Sequence, residues 1–186
     1  MTYKTLGIDL DGTTYDFFTV FRNHWAELQN INPEPLGTEP LRWGFFEDWG
    51  CTIWKFHSLM RENIKLDGRL YTAGLPYSDA PEVLQRLSEN HKIVIITSRC
   101  YLNLEEQTEK YTTQWLEEYK IPYDDLIFSD EKTNRGIDLM LDDAPHIIKK
   151  ALEMREDAIL FDSPQNRHID HIRVTSWLDF ERFVNG

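Results

Sequence analysis

Residues Ile8-Asp9-Leu10-Asp11-Gly12-Thr13 follow directly on an apolar run that opens the chain. A strand alternates its side chains between two faces, so acids two positions apart at its end point the same way. Gly12 lets the backbone turn away, which leaves Asp9 and Asp11 at the sheet edge instead of in the core. Beside a bound divalent cation, one such carboxylate can attack phosphorus while the other handles a proton. The stretch points to phosphoryl chemistry, although alone it also fits an Asp-Gly turn with exposed acids.

Working outward, further apolar, β-rich runs lie at 5–10, Lys92–Thr97, Asp125–Phe128, 137–141 and Ala158–Phe161. Apolar residues at three- and four-residue steps predict helices over 80–90, 104–119 and 145–155. Asp79 is placed to cap the first of these, with Pro81 in its first turn, and Asp143 to cap the last, entered through Pro145. Alternating strands and helices predict an α/β fold, a Rossmann-like three-layer core around a parallel sheet. Ligands of such sheets collect at the carboxyl ends of the strands. Residues 15–75 break the rhythm with helical patterns over Phe17–Gln29 and 53–64. They are expected to form a small helical cap inserted after the first strand, with the core made of 1–14 and 76–186.

With 41% hydrophobic residues over 186 positions, the chain can build one good core and a small inserted unit. Acids outnumber bases 32 to 20, a net charge of −12, and no Lys/Arg-rich run offsets them. A nucleic-acid polymer is therefore not an expected partner, whereas a small phosphate ester neutralised by a metal is. The N-terminus shows no signal-peptide pattern, and no stretch approaches the roughly 18 apolar residues of a membrane span. Cys51 and Cys100 offer no disulfide framework and are expected to be free thiols. The expectation is a cytoplasmic protein with no membrane partner. Its oligomeric state, a homodimer included, is left open.

Three more strand ends carry chemistry. The run 93–96 closes on Thr97 and Ser98, whose hydroxyls and backbone N–H groups can hold phosphate oxygens. Lys132 follows the third strand and taken alone reads as a surface lysine. The fourth strand ends in Asp142 and Asp143. Four carboxylates gathered at one edge repel one another unless a cation sits among them, and Mg²⁺ suits hard oxygen ligands. Each signal is ambiguous alone; their order along successive strands is not.

In that order, Asp9-Leu10-Asp11-Gly12-Thr13, Thr97, Lys132 and Asp142-Asp143 resemble the four motifs of the haloacid dehalogenase-like (HAD) phosphohydrolases. Within them the chain is most similar to the 5′(3′)-deoxyribonucleotidases, through 11–17, Ile96-Thr97-Ser98, 130–133, 159–161, Asn166-Arg167-His168 and Ser176-Trp177. The resemblance implies a phosphomonoesterase acting on (deoxy)ribonucleoside monophosphates through an aspartyl-phosphate. Asp9 would be the nucleophile, Asp11 the proton donor and acceptor, and Thr97, Ser98 and Lys132 the phosphate-binding groups. Mg²⁺ would be held by the Asp9 carboxylate, the Asp11 carbonyl and Asp143, with Asp142 supporting. Phe17, Phe45 and Phe46 fall where the family's cap aromatics pack around the base, although they also suit the cap's own core. Trp43, Trp49 and Trp54 read as core or cap-hinge residues. Arg99 departs from the family, which often has proline there. His168, Asp170 and His171 lack distant co-ligands and read as a polar surface turn. The alternatives are a phosphatase of the same mechanism for a sugar phosphate or nucleic-acid end, and a non-catalytic binding protein of the same fold.

Overall fold

The computed structural model describes residues 3–186. One sheet holds six parallel strands: β1 (Thr5–Ile8), β2 (Lys92–Thr97), β3 (Asp125–Phe128), β4 (Leu139–Asp142), β5 (Ala158–Phe161) and β6 (Arg173–Val174). Their order is β3-β2-β1-β4-β5-β6, with Ile8 opposite both Ile95 and Leu141. The chain steps one way from β1 to β2 and β3, then the other way from β4 onward. That reversal opens a crevice between the carboxyl ends of β1 and β4, where ligands of doubly wound sheets bind.

A parallel sheet must be covered on both faces. On one face Leu6, Ile8, Ile95 and Leu141 pack against α4 (Ala80–Ser88), α5 (Glu105–Glu118) and α7 (Trp177–Asn185). On the other, Val94, Ile96, Met140 and Leu160 pack against Ile148 and Ala151 of α6 (Pro145–Glu153). Each fully buried aliphatic side chain contributes about 1.5–3 kcal/mol relative to its exposed state. The layering fixes the strand ends, and with them the acids they carry.

Between β1 and α4 the chain adds α1 (Phe17–Gln29), α2 (Ile53–Leu66) and α3 (Arg69–Thr72), with short 3₁₀ turns at Glu34–Leu36 and Phe45–Trp49. The Asp16 carboxylate starts α1 by accepting from the Thr19 N–H at 3.1 Å, and Asn30 stops it in the left-handed region. Thr52 caps α2 at the Lys55 N–H, 3.2 Å away. Phe21, Trp25, Met60 and Ile64 give these helices a hydrophobic cluster of their own.

Several expectations need correction. The first strand stops at Ile8, not at residue 10, because the Leu10 carbonyl accepts the N–H groups of Thr13, Thr14 and Tyr15 and turns the chain. The fourth strand runs Leu139–Asp142 instead of 137–141, while the Asp138 carboxylate accepts the backbone N–H groups of Lys4 and Thr5. Asp79 precedes α4 with φ +66° and caps nothing with its side chain. The helices expected to reach 90 and 155 end at Ser88 and Glu153. Trp54 is 84% exposed, so it is not a core residue, whereas Trp49 is half-buried and donates to the Leu36 carbonyl. β6 was not anticipated; two residues are too short for periodicity to register. Both cysteines are unpaired, as expected. No helix of the described residues is long and apolar enough to cross a membrane.

Gly68 joins α2 to α3 at φ +65°, and a Cβ there would lie 2.2 Å from the Tyr111 ring of α5. Gly68→Ala is expected to lower unfolding stability by about 1–3 kcal/mol in a denaturant titration. An unchanged midpoint would show that the junction relaxes freely.

Candidate active site

The reversal in strand order brings together acids that are far apart in sequence. Asp9 follows β1 and is 4% exposed; Asp142 ends β4 and is fully buried; Asp143 comes next, 3% exposed. One carboxylate oxygen from each lies within 4.8 Å of the others. Lys132, 5% exposed, reaches in with Nζ 2.5 Å from Asp9 Oδ1 and 2.8 Å from Asp142 Oδ2. The lysine that reads from sequence as a surface residue is thus the buried countercharge of two strand-end acids.

The two adjacent acids are used differently. Asp142 is fully engaged by protein: Oδ2 by Lys132 and Oδ1 by the Ala144 N–H at 2.8 Å, at the start of α6. The cap expected of Asp143 is absent: α6 has no side-chain cap, Asp142 bonds only Ala144 ahead of it, and Asp143 turns toward Gly12. There Gln165 donates to Asp143 Oδ2 at 2.6 Å, and Asn166 fixes the Asp143 carbonyl at 2.9 Å. Asp143 Oδ1 is buried and accepts no hydrogen bond among the described residues. Gly12, at φ +92°, is needed for this approach, because a Cβ would sit 2.3 Å from Asp143 Oδ2.

Asp11 stands apart from this cluster. Its carboxylate is gripped by Arg99, with Nη2–Oδ1 at 2.6 Å and Nε–Oδ2 at 3.0 Å. Arg99 is only 2% exposed, and burial works against its charge, yet Asp11 outweighs that and holds the guanidinium above its usual range. From the sequence Arg99 reads only as a departure from the family's proline, and nothing nearby in the chain points to Asp11 as its partner. The available signal was an arginine placed directly after a buried strand, where its charge needs an acid.

Four carboxylates against two cations leave two negative charges in excess. The strain falls on the buried acids. Burial first, then Asp142 and Asp11, push the Asp9 carboxyl up to about 7, although Lys132 pulls the other way. Burial, Asp9 and Asp142 hold Asp143 well above the carboxylate range. For Lys132, burial disfavours the charge, but Asp142 and Asp9 prevail and raise it. An unpartnered buried carboxylate oxygen, two further acids within reach and the uncompensated charge fit a hard divalent cation.

A cavity of about 570 Å³ opens over these groups and is lined by Asp9, Asp11, Ser98, Lys132 and Asp143. Thr97 is not among its lining residues: its hydroxyl is buried and has no hydrogen-bond partner among the described residues. Alternation along β2 assigns Thr97 to the face of Ile93 and Ile95, and the next residue, Ser98, reaches the cavity. Phe17, Phe45 and Phe46 also line the cavity, and all three pack with the cluster of α1 and α2. Phe46 is buried, with its ring stacked 4.3 Å from Phe56, whereas Phe17 and Phe45 are half-buried. Trp43 is not a core residue: 54% exposed, it lines the cavity and meets His146 of α6 edge-on at 5.0 Å. His171 faces the Ala158 carbonyl at 2.6 Å, which suits a structural turn.

Residues 3–185 match the family model described as 5′ nucleotidase, deoxy (Pyrimidine), cytosolic type C protein. The chain is 32% identical over 179 residues to the "Putative 5′(3′)-deoxyribonucleotidase" of Chlorobaculum tepidum, covering 94% of this chain and 86% of that protein. It is 29% identical to the "Putative nucleotidase YqfW" of Bacillus subtilis, over 97% of this chain and 93% of that one. Among solved structures, the HAD-hydrolase YfnB of Bacillus subtilis, bound to magnesium, is similar at TM-score 0.61 and 16% identity, over the full length of both chains. That last likeness is one of fold.

The electrostatics yield a test by thermal melting. A carboxyl raised to about 7 holds in the folded state a proton that the unfolded chain releases near 4. Without a cation, this group therefore loses stability for the fold as pH rises from about 4 through about 7. A cation bound by the ionised cluster removes that loss. Added Mg²⁺ should raise the melting temperature more at pH 8 than at pH 5.5; an equal or smaller shift at pH 8 would place the ion elsewhere.

Proposed function

We propose that this chain, which belongs to the cytosolic type C 5′-nucleotidase family of HAD-fold phosphoric monoester hydrolases, removes phosphate from deoxyribonucleoside monophosphates through an aspartyl-phosphate. The observation that carries the reading is the buried trio Asp9, Lys132 and Asp143 in the lining of a cavity that aromatic rings also line.

Asp9 attacks phosphorus with a carboxylate oxygen, forming an acyl phosphate as the bond to the nucleoside oxygen breaks. A proton from Asp11 goes to that leaving oxygen. Water then attacks the same phosphorus while Asp11 takes its proton, the bond to Asp9 breaks and phosphate leaves. Lys132 and Ser98 hold the transferring oxygens, since positioning and charge neutralisation dominate phosphoryl transfer. Thr97 contributes through the backbone at the end of β2. The Asp9 and Asp143 carboxylates and the Asp11 carbonyl would hold Mg²⁺, while Asp142 braces Lys132 and the turn into α6. The cation supplies neutralisation of developing charge on the phosphoryl group.

Residues 15–75 act as the cap, with Phe17 and Phe45 as faces for the base and Phe46 as the packed support behind them. An aromatic wall binds any base through its π-face, and each such stack is worth about 1–3 kcal/mol.

The test is phosphate release from deoxy- and ribonucleoside monophosphates and sugar phosphates, with Mg²⁺ and with EDTA. The expected result is metal-dependent release favouring deoxynucleotides. Phe45→Ala should then raise KM for nucleotides about tenfold and leave phenyl phosphate nearly unchanged. Release from sugar phosphates but from no nucleotide would overturn the proposal.

A further inference from the structure

Among the described residues Arg99 makes no hydrogen bond or ion pair with the buried trio, yet it is one of their most fully buried large side chains. All three of its nitrogens donate. Nε and Nη2 form a two-pronged pair with the oxygens of Asp11, and Nη1 donates to Thr112 Oγ1 of α5 at 3.2 Å. The guanidinium carbon lies 4.2 Å from the Tyr71 ring centroid and 4.8 Å from that of Tyr15. These rings are themselves held. The Tyr15 hydroxyl donates to the Leu70 carbonyl at 2.8 Å and accepts from the Gly74 N–H at 3.0 Å, and Trp115 meets the Tyr15 ring edge-on at 5.0 Å.

We infer that Arg99 is a positioning residue for proton transfer: braced by Tyr15, Tyr71 and Thr112, it sets the orientation of the Asp11 carboxylate. This rests on the role given to Asp11 above. A planar fork fixes both oxygens of a carboxylate in one plane, which a lysine's single ammonium does not. Both oxygens of Asp11 are engaged in this arrangement, so one must leave the fork to meet a leaving group while the other keeps its bond to Arg99. Tyr71 comes from α3 and Thr112 from α5, so the inserted helices and the core both set where the proton donor stands. Arg99 differs in this from Lys132, whose ammonium is committed to Asp9 and Asp142.

A residue acting through the proton donor matters most when the leaving group is poor. The experiment compares phenyl phosphate, a poor leaving group, with p-nitrophenyl phosphate, a good one, by phenol release in single turnovers with enzyme in excess at saturating Mg²⁺, which reads formation of the acyl phosphate and not its hydrolysis. Neither needs the base pocket, so the test is independent of nucleotide preference. Arg99→Met is expected to lower the single-turnover rate on phenyl phosphate about 100-fold and on p-nitrophenyl phosphate less than about fivefold, with the half-saturating enzyme concentration within about threefold. In an Asp11→Asn background the same change should add little, because the two residues act as one unit. Arg99→Lys, which keeps the buried charge without the fork, should fold and show a smaller loss with the same dependence on leaving group. It decides the matter if Arg99→Met does not fold.

Equal losses of single-turnover rate on both esters, a half-saturating enzyme concentration that rises with the loss, or full additivity with Asp11→Asn would overturn the inference and make Arg99 a phosphate ligand or plain scaffold. The role of Asp11 fails separately. If Asp11→Asn itself loses both esters equally, the proton-transfer assignment is wrong. If Asp11→Asn is leaving-group dependent and the Arg99 variants are not, only the inference about Arg99 falls.

Discussion

The constraint on which the structure depends is the convergence of negative charge at one sheet edge. Asp9 and Asp142 end or follow neighbouring strands, and the packing of β1 against β4 leaves their carboxylates nowhere to separate. Removing isolated charges from water costs several kcal/mol each, so the cluster is tolerable only with opposite charge inside it. Lys132 supplies part of that charge through short contacts to both acids. What it leaves uncompensated is what a divalent cation and a phosphoryl transition state can use. The same repulsion that burdens the fold prepares the site.

Around that cluster the protein separates two tasks that a pair of neighbouring acids could blur. Asp9 is buried beside a lysine at the floor of the cavity, while Asp11, two residues on, is held by an arginine that belongs to a different set of contacts. Similar side chains thus acquire different surroundings through the turn that Gly12 permits. Asp142 and Asp143 divide in the same way. One has both oxygens occupied by protein groups, and the other keeps a buried oxygen without a partner. In each pair, environment and not residue type decides what the carboxylate can do.

Much of this was legible in the sequence because strand ends announce themselves. Apolar runs closing on Asp9, Asp142 and a pair of hydroxyls gave the sheet, its carboxyl edge and the gathering of acids. Lys132 had no local signal, since an acidic loop makes any lysine look solvated; its burial depends on contacts 123 and 10 residues away. Thr97 and Ser98 were both legible at the end of β2, but that only Ser98 lines the cavity depends on how the strand lies against its neighbours, which composition does not carry. Arg99 was visible only as an anomaly, because its partner lies 88 residues earlier and its aromatic braces come from two other elements. The inserted helices were recognisable by their period, but Trp43 in the cavity lining and Trp54 in solvent show that aromatic residues there do not declare their side.

The central claim is that Asp9 carries the phosphoryl group. The most direct measurement is to quench the enzyme with acid during turnover, reduce it with borohydride and map the product by mass spectrometry. An acyl phosphate on Asp9 is reduced to the alcohol, so homoserine should appear at position 9 and only in samples that received substrate. Turnover without modification at position 9, or with modification at another carboxylate, would contradict the account.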